Sequence, residues 1–404
     1  MTTTRRAAAA VAVVAAAGTV LAGCGSSSSQ SGSSTTASPS ASVPQVDAGA
    51  FTADFSVMKQ LTDLASQGKG TVGVLLPDTT TSTRYVQYDA PYLKKAFETA
   101  GLSSDQFKID NANGSASTMQ TQAEADINAG ASVLLVDPLD PGSGAAIEAK
   151  AQSAGVAVID YDRLVTGGPK DRYYVSFDNV KVGELMGKGL VQCIQDWNVS
   201  APDVLVMDGD PTDNNATLFA QGYNDVLQPK FDSGDYTKAG EPAGTWDPQQ
   251  AATTFEQQLT AHPDINAAIT PNDDNANAVI SILKSNGVTT KTFPTTGQDA
   301  SLPGLQNVLT GFQCGTVYKP IYLEAQAAAA LAIYLRAGAT PPASLVNSTT
   351  KDTELKADIA SVYTTPIWVT PDNMNDTVVK DGAVTVDKLC AGNVKDACTA
   401  AGIG

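Results

Sequence analysis

Short apolar stretches alternate along this chain with longer segments of helical spacing, and this alternation limits the fold more than any other feature. The apolar stretches are bounded by turn-forming residues, as strands buried inside parallel sheets are. They lie at 71–76, 132–136, 156–161, 204–207, 267–270 and 315–318. Helices are predicted at 91–100, 117–129, 144–154, 180–195, 216–227, 248–261, 276–286 and 320–336. The pattern predicts an α/β fold with parallel sheets, and the number of elements favours two lobes.

Polar residues follow the ends of the predicted strands, where parallel α/β sheets bind their ligands. Asp and Asn at such positions are also common helix N-caps, and a single Asn-Asp pair needs no other explanation. Capping alone does not call for the Arg, Lys and aromatic residues that accompany them. The residues at these ends include Asp78, Arg84, Tyr85, Asp160, Asp162, Arg163, Asp208, Asp210, Asp213, Asn214, Asn215, Asn272, Asp273, Asp274, Gln298, Asp299 and Lys319, with Trp246 on a connecting segment.

A sugar is the ligand that best suits this mixture of side chains. Its hydroxyl groups both donate and accept, so they pair with carboxylate and amide oxygens and with Arg, Lys and amide N–H groups. Charge-assisted hydrogen bonds of this kind are the stronger ones. Aromatic rings pack on the C–H faces of a sugar ring. A phosphate would instead call for a glycine-rich cradle, which Gly68-Lys69-Gly70 does not provide.

The charge of the chain excludes several other classes of function. Lys and Arg number 25 against 42 Asp and Glu, which gives a net charge of −17. Such a surface repels phosphate backbones, so we expect no nucleic-acid partner. The single histidine, His262, argues against a histidine-based zinc site or catalytic triad. We predict no cofactor, no metal and no catalytic residue.

The N-terminus has the features of an export signal. Arg5 and Arg6 precede an uncharged apolar stretch over 7–22, which is short for a membrane span. The stretch ends in Leu21-Ala22-Gly23-Cys24, which resembles the lipobox of bacterial lipoproteins. The resemblance implies that residues 1–23 are a signal peptide and that Cys24 carries a lipid holding the protein on the outer face of the cell membrane. The alternative is an ordinary secretory signal.

The residues after Cys24 predict a flexible tether over 24–47, because ten of residues 25–46 are Ser and few can be buried. Four more cysteines follow, an even number that suggests two disulfides in an exported protein. Cys390 and Cys398 are close in sequence and are predicted to clip the C-terminal tail. Cys193 and Cys314 are then paired by elimination.

Six motifs in register carry a family resemblance. They are Tyr161-Asp162-Arg163, Ser176-Phe177-Asp178-Asn179 with Val182-Gly183-Glu184, Asp213-Asn214-Asn215-Ala216, Asn272-Asp273, Thr296-Gly297-Gln298-Asp299-Ala300, and Thr316-Val317-Tyr318-Lys319-Pro320. From about Lys69 to Arg336, the chain resembles the periplasmic sugar-binding proteins of the ribose and xylose transporter group, most closely its xylose-binding branch.

The resemblance implies a type I periplasmic binding protein fold, with two lobes joined by a three-strand hinge that close on one sugar. Residues 48–178 and 319–350 would form the N-terminal lobe, and 179–318 and 351–404 the C-terminal lobe. Carried over from the family, the residues that would contact the sugar are Arg84, Tyr85, Asp162, Arg163, Asp213, Asn215, Trp246, Asn272, Asp299 and Lys319. Asp162 and Arg163 would bind adjacent hydroxyls, and Tyr85 and Trp246 would stack on its two faces.

The chain differs from the xylose-binding branch at Tyr85, at Ala220 and in the tail beyond Arg336, which is less clearly matched and carries the Cys390–Cys398 pair. Xylose binders carry Trp at the position of Tyr85, so a smaller ring would stack here. They carry Arg where this chain has Ala220, and its loss is expected to admit a larger sugar or to shift the preference. D-Xylose is therefore the first expectation, while glucose, galactose and arabinose stay open.

The resemblance further implies a monomeric solute-binding lipoprotein that delivers a monosaccharide to an ABC permease and its ATPase. A sugar sensor for a membrane receptor would use the same pocket. An exported carbohydrate-active enzyme would need two carboxylates, such as Asp162 and Asp299, with one able to donate a proton. Arg163 and Lys319 should keep both ionised, which disfavours the enzyme.

Overall fold

Twelve strands and twelve α-helices are found in residues 43–80 and 82–404, the part of the chain that the computed structural model describes. The predicted signal peptide, Cys24 and the tether up to residue 42 lie outside it. The strands are β1 Thr71–Leu76, β2 Phe107–Asn111, β3 Ala131–Val136, β4 Ala157–Tyr161, β5 Tyr173–Phe177, β6 Asp203–Val206, β7 Thr237–Gly240, β8 Ala267–Ile269, β9 Thr316–Tyr318, β10 Ser348–Asp352, β11 Ala357–Thr364 and β12 Ile367–Val369. The helices are α1 Thr62–Gln67, α2 Ala90–Thr99, α3 Ala116–Asn128, α4 Pro141–Ser153, α5 Asn179–Asp196, α6 Asn214–Asp232, α7 Pro248–Ala261, α8 Asp273–Ser285, α9 Leu302–Thr310, α10 Ile321–Arg336, α11 Val386–Leu389 and α12 Lys395–Ala400. Of the helices described, none is both long and apolar enough to cross a membrane.

The larger sheet has seven strands in the order β10-β11-β5-β4-β3-β1-β2. All neighbours are parallel except β10 and β11. The central strands are buried almost throughout because helices cover both faces, and this is why they appear in the sequence as continuous apolar runs. The Ala-rich helix α10 packs with α2 on one face, and residues of α3 and α4 pack on the other.

The smaller sheet joins β7, β6 and β8 in parallel. Bridges from Ala268 to Thr295 and from Gln298 to Val317 extend it to the antiparallel pair of β9 and β12. Helices α5 and α6 pack beside this sheet with their backbones in contact. A Cβ atom at Gly183 would lie 2.0 Å from the carbonyl oxygen of Phe219, so only glycine permits this approach.

Three connections join the two lobes: after β5, after β9, and between β11 and β12. The last of these corrects the predicted boundary at 350/351. Strand β11 pairs in parallel with β5, so residues up to Thr364 belong to the larger sheet. Only the tail from β12 onward packs with α9 in the second lobe. The polar sequence of β10, Ser-Thr-Thr-Lys-Asp, gave no signal of a strand because it is an edge strand.

The end of the predicted tether is also ordered. Val46 is buried in the core of the first lobe, and its carbonyl accepts a hydrogen bond from Ser344 at 2.9 Å. The carbonyl of Pro44 accepts one from the hydroxyl of Tyr334 at 2.5 Å. The folded part of the chain therefore includes residues before Asp47, because the apolar side chain of Val46 packs in the core of the first lobe.

Both disulfides are formed. Cys193, near the end of α5, pairs with Cys314, just before β9, across a sequence separation of 121 residues. Cys390 and Cys398 pair across 8 residues within the tail. The long-range disulfide therefore ties the helix that enters the second lobe to the segment that leaves it.

We expect the two disulfides to contribute unequally to stability. Loop-closure entropy grows with the logarithm of loop length, so the Cys193–Cys314 disulfide should stabilise the fold by about 2 kcal/mol more than the other. Urea unfolding of Cys193→Ser/Cys314→Ser and of Cys390→Ser/Cys398→Ser, each against the unmodified protein, measures the difference. Equal losses would contradict the expectation.

Candidate ligand-binding site

One cavity lies at the carboxyl ends of strands from both sheets, with about 300 Å³ of space between its atoms, part of it open to solvent. All ten residues predicted as sugar contacts line this cavity: Arg84, Tyr85, Asp162, Arg163, Asp213, Asn215, Trp246, Asn272, Asp299 and Lys319. Ser82, Phe219 and Gln298 line it as well and were not predicted. The structure thus brings together residues that are up to 237 positions apart, from 82 to 319.

The sequence contained signals for two of the three residues that were missed. Gln298 stands beside Asp299 within one of the motifs that carried the resemblance. Phe219 follows Asn215 by four positions on α6, so both side chains lie on the same face of that helix. Ser82 lies in the loop after β1, where no periodic pattern marks it.

Arg84 is the most constrained side chain of the cavity. Its Nε and Nη2 donate to both carboxylate oxygens of Asp89, at 3.0 and 2.7 Å. Nη2 also donates to Glu324 at 3.0 Å, and Nη1 donates to Asp162 at 2.8 Å. A guanidinium has five N–H groups, so one remains for a ligand. Arg84 therefore acts mainly by fixing Asp162, and a sugar would receive at most one hydrogen bond from it.

Asp162 is held in a left-handed backbone conformation, with φ at +59°. Three donors meet its carbonyl oxygen: the hydroxyls of Tyr174 and Ser176, at 2.9 and 2.8 Å, and the Asn215 amide, at 2.8 Å. A left-handed residue other than glycine persists only where its surroundings hold it. These bonds place the Asp162 carboxylate in the cavity, where it also accepts from Tyr85 at 3.1 Å.

The charge state of Asp162 follows from its neighbours. Burial alone would raise the pKa of this carboxyl, but the cations of Arg84, Lys319 and Arg163 outweigh burial and lower the pKa to about 2. Asp162 is therefore an ionised acceptor at any physiological pH. This charge state suits hydroxyl binding and does not suit proton donation.

Ion pairs connect the two lobes across the cavity. Arg163, from the loop after β4, lies with its Nε 3.1 Å from Oδ2 of Asp213. Lys319, after β9, lies 3.3 Å from Asp299. Outside the cavity wall, the backbone N–H of Thr83 donates to Asp274 of the second lobe at 3.3 Å. The two lobes are therefore in contact around the cavity.

Two of the second-lobe residues serve as helix N-caps and also line the cavity. Oδ1 of Asp213 accepts the backbone N–H of Asn215 at 2.8 Å, at the start of α6. Its Oδ2 accepts from Nε1 of Trp246 at 3.1 Å. Asn272 caps α8 by accepting from the backbone of Asn275 at 2.9 Å. Capping therefore does not keep Asp213 and Asn272 out of the cavity, and ligand binding by both stays a prediction.

Aromatic rings form the apolar part of the wall. Phe219 and Trp246 meet edge to face, with ring centroids 6.5 Å apart. Trp246 packs on Gly209, where a Cβ atom would lie 2.3 Å from the indole ring. The Tyr85 ring is buried between cations, with the guanidinium carbons of Arg84 and Arg163 at 5.2 and 5.7 Å from its centroid. Stacking of Tyr85 on a sugar stays a prediction.

Oε1 of Gln298, a buried polar atom of the cavity, has no hydrogen-bond partner among the described residues. Oδ1 of Asp299 and Nε of Arg163 make no hydrogen bond either, but each lies in an ion pair, with Lys319 and with Asp213. A buried acceptor without a donor is unfavourable, so Gln298 favours a ligand that offers a donor. A hydroxyl group can supply one.

A two-lobed α/β protein with a polar cavity between its lobes belongs to the class of ligand-binding proteins that hold a solute between two sheets. Comparison with known proteins identifies the family. Residues 72–340 match the periplasmic binding protein domain. The chain belongs to this family, which is one of extracytoplasmic binding proteins and not of enzymes.

Three relatives of this chain are binding proteins for sugars. The D-xylose-binding periplasmic protein of Escherichia coli is 38% identical over 276 residues, which cover 68% of this chain and 80% of that protein. The multiple sugar-binding periplasmic receptor ChvE of Rhizobium radiobacter is 31% identical over 80% of this chain and 92% of its own length. Among solved structures, a carbohydrate transporter solute-binding protein of Chloroflexus aurantiacus in complex with D-glucose has a TM-score of 0.71 at 27% identity, covering 79% of this chain and 98% of that one.

The low pKa of Asp162 predicts how stability depends on pH. A carboxyl whose pKa is lower in the folded state stabilises the fold above its ordinary pKa of 3.8, and this contribution disappears as the pH falls towards 2. Between pH 4 and pH 2, we expect the unmodified protein to lose about 2 kcal/mol more unfolding free energy than Asp162→Asn does. Urea unfolding across this range measures it, with Asp387→Asn, an exposed acid of the tail, as the control. Parallel pH curves for Asp162→Asn and the unmodified protein would contradict the prediction.

Proposed function

We propose that this protein is the extracytoplasmic sugar-binding component of an ABC importer. It holds one monosaccharide between its lobes and presents the closed form to a membrane permease, whose ATPase partner drives transport. The observation that carries the proposal is the single cavity that unites carboxylates, amides, cations and aromatic rings from both lobes. Binding energy is used to close two lobes, and no bond is broken.

D-Xylose is the sugar that we propose first. The support comes from the relative that is 38% identical and is a D-xylose-binding protein, and from a second D-xylose-binding protein, of Haemophilus influenzae, at 34% identity. D-Glucose is the main competitor, because two structures with a similar fold hold it. Ala220, which stands where xylose binders carry Arg, is half-buried against the second-lobe core and does not line the cavity. No cationic donor therefore enters the cavity from this position.

Calorimetry with purified protein tests the sugar assignment. Titration against D-xylose, D-glucose, D-galactose, L-arabinose and D-ribose should give tight one-to-one binding of one of them. Asp299→Ala should weaken that binding about 10-fold to 100-fold, because it removes an ionised acceptor from the cavity.

The control for this experiment is Asp376→Ala, which removes an exposed acid of the tail and should leave affinity unchanged. Absence of binding to every one of the five sugars would contradict the proposal. Steady release of a cleaved sugar product from a glycoside would instead support the enzyme alternative.

We also propose that Cys24 carries a lipid, which would hold the protein at the outer face of the membrane and near its permease. Cys24→Ala should abolish incorporation of labelled fatty acid and move the protein from the detergent phase to the aqueous phase of a Triton X-114 partition. Ser28→Ala, four residues further along the tether, should behave like the unmodified protein. Unchanged labelling of Cys24→Ala would overturn the anchor.

A further inference from the structure

The cavity residue Asp299 stands on a strained turn. Its φ is +89°, and that of the next residue, Ala300, is +49°. Two successive residues other than glycine in the left-handed region are unusual, and such strain persists only where the surroundings impose it. The conformation matters for binding, because it presents Asp299 to the cavity, 3.3 Å from Lys319.

Strand β9 supplies two of the hydrogen bonds that hold this turn. The backbone N–H of Asp299 donates to the carbonyl of Val317 at 2.9 Å. The backbone N–H of Ala300 donates to the side-chain oxygen of Thr316 at 3.2 Å. The next N–H along the chain, that of Ser301, donates to a different acceptor.

That acceptor is the side chain of Asp273, the first residue of α8. Its Oδ2 accepts the backbone N–H of Ser301 at 2.7 Å, and its own backbone N–H donates to the carbonyl of Gln298 at 2.9 Å. Asp273 therefore binds the chain on both sides of the Asp299–Ala300 turn. A carboxylate in the first turn of a helix is favourable because it lies at the positive end of the helix dipole. The helix dipole does not require the contact between Asp273 and Ser301.

The surroundings of Asp273 are shaped around its carboxylate. Nε2 of Gln313 donates to Oδ1 at 2.9 Å and also to the carbonyl of Gly315 at 3.1 Å. A Cβ atom at Gly297 would lie 2.1 Å from Oδ1, and one at Gly304 would lie 2.2 Å from Oδ2. Both positions therefore require glycine for the carboxylate to fit.

Asp273 is not itself a wall of the cavity. It is 1% exposed and lies behind Asp299. Burial, together with the nearby charge of Asp299, raises the pKa of Asp273 to about 7. A second carboxylate close to Asp299 is therefore unfavourable for the stability of the fold. This is consistent with a role of Asp273 in positioning Asp299.

We propose that Asp273 is a positioning residue for sugar binding, which fixes the Asp299–Ala300 turn from behind so that Asp299 meets the ligand. This inference rests on the proposed function, because it acts through the sugar site. It predicts that the effect of Asp273 on affinity passes through Asp299.

A double-mutant cycle on purified protein tests this coupling, with the sugar that binds best in the calorimetric screen. Asp273→Ala should weaken binding roughly 10-fold or more, but less than about 2-fold when Asp299 is already Ala. Asp273→Asn should give an intermediate affinity, because its amide oxygen still accepts from Ser301. Equal losses in both backgrounds would overturn the proposal.

Two further variants separate positioning from general destabilisation. Val279→Ala removes buried volume from the same helix, α8, and should lower the melting temperature without changing affinity. Thr316→Val removes the neighbouring acceptor of the turn and should show the same coupling to Asp299 as Asp273→Ala, should the latter fail to fold. An affinity loss in Val279→Ala equal to that in Asp273→Ala would contradict positioning.

Hydrogen exchange distinguishes failure of this inference from failure of the proposed function. If the unmodified protein binds none of the sugars, the proposed function fails, and exchange of the backbone amides at 299–301 decides the positioning role. Faster exchange there in Asp273→Ala, with unchanged exchange in α5, supports the role. Unchanged exchange at 299–301 overturns it.

Discussion

The buried guanidinium of Arg84 is the interaction on which the site depends. It joins three separate parts of the first lobe: Asp89 in the turn before α2, Glu324 in α10 and Asp162 after β4. Each of these groups is almost entirely buried, so none can be left without its partners. Since α10 follows the second crossing between the lobes, Arg84 also fixes the first-lobe end of the hinge. The cavity is thus built on a charge network of which Arg84 and Asp162 line the wall, while Asp89 and Glu324 do not.

Backbone strain appears at two of the acidic residues that line the cavity, one from each lobe. Asp162 and Asp299 each have positive φ, and both are fixed by hydrogen bonds to elements behind them. In the first lobe the carbonyl of Asp162 is held by Tyr174, Ser176 and Asn215. The two lobes therefore use the same device, in which a carboxylate is placed by a backbone conformation that surrounding bonds enforce. Rigid acceptors of this kind lose little conformational entropy when a ligand binds.

The sequence predicted the site better than it predicted the edges of the fold. Strand β1 and helix α7 were predicted with their observed bounds, because a buried strand and a capped amphipathic helix have strong local signals. The strand ends marked a wider set of polar residues, which the topology collects at one edge, and the family resemblance selected from it the ten that line the cavity. The strand β10 and the ordered segment at Val46 have no local signal, since they depend on partners far away in the chain. The tertiary role of Arg84 was missed for the same reason.

The charges of the cavity wall restrict the class of ligand that it can hold. Three cations line it, Arg84, Arg163 and Lys319, and three anions, Asp162, Asp213 and Asp299. The ion pairs between them balance the wall before any ligand enters. A sugar phosphate or a sugar acid would add a charge with no free counter-ion in the wall, inside a chain whose net charge is already −17. A neutral sugar would exchange hydrogen bonds with both members of each pair and leave this balance intact, so the wall supports a neutral polyhydroxylated ligand for the proposed function over a charged derivative.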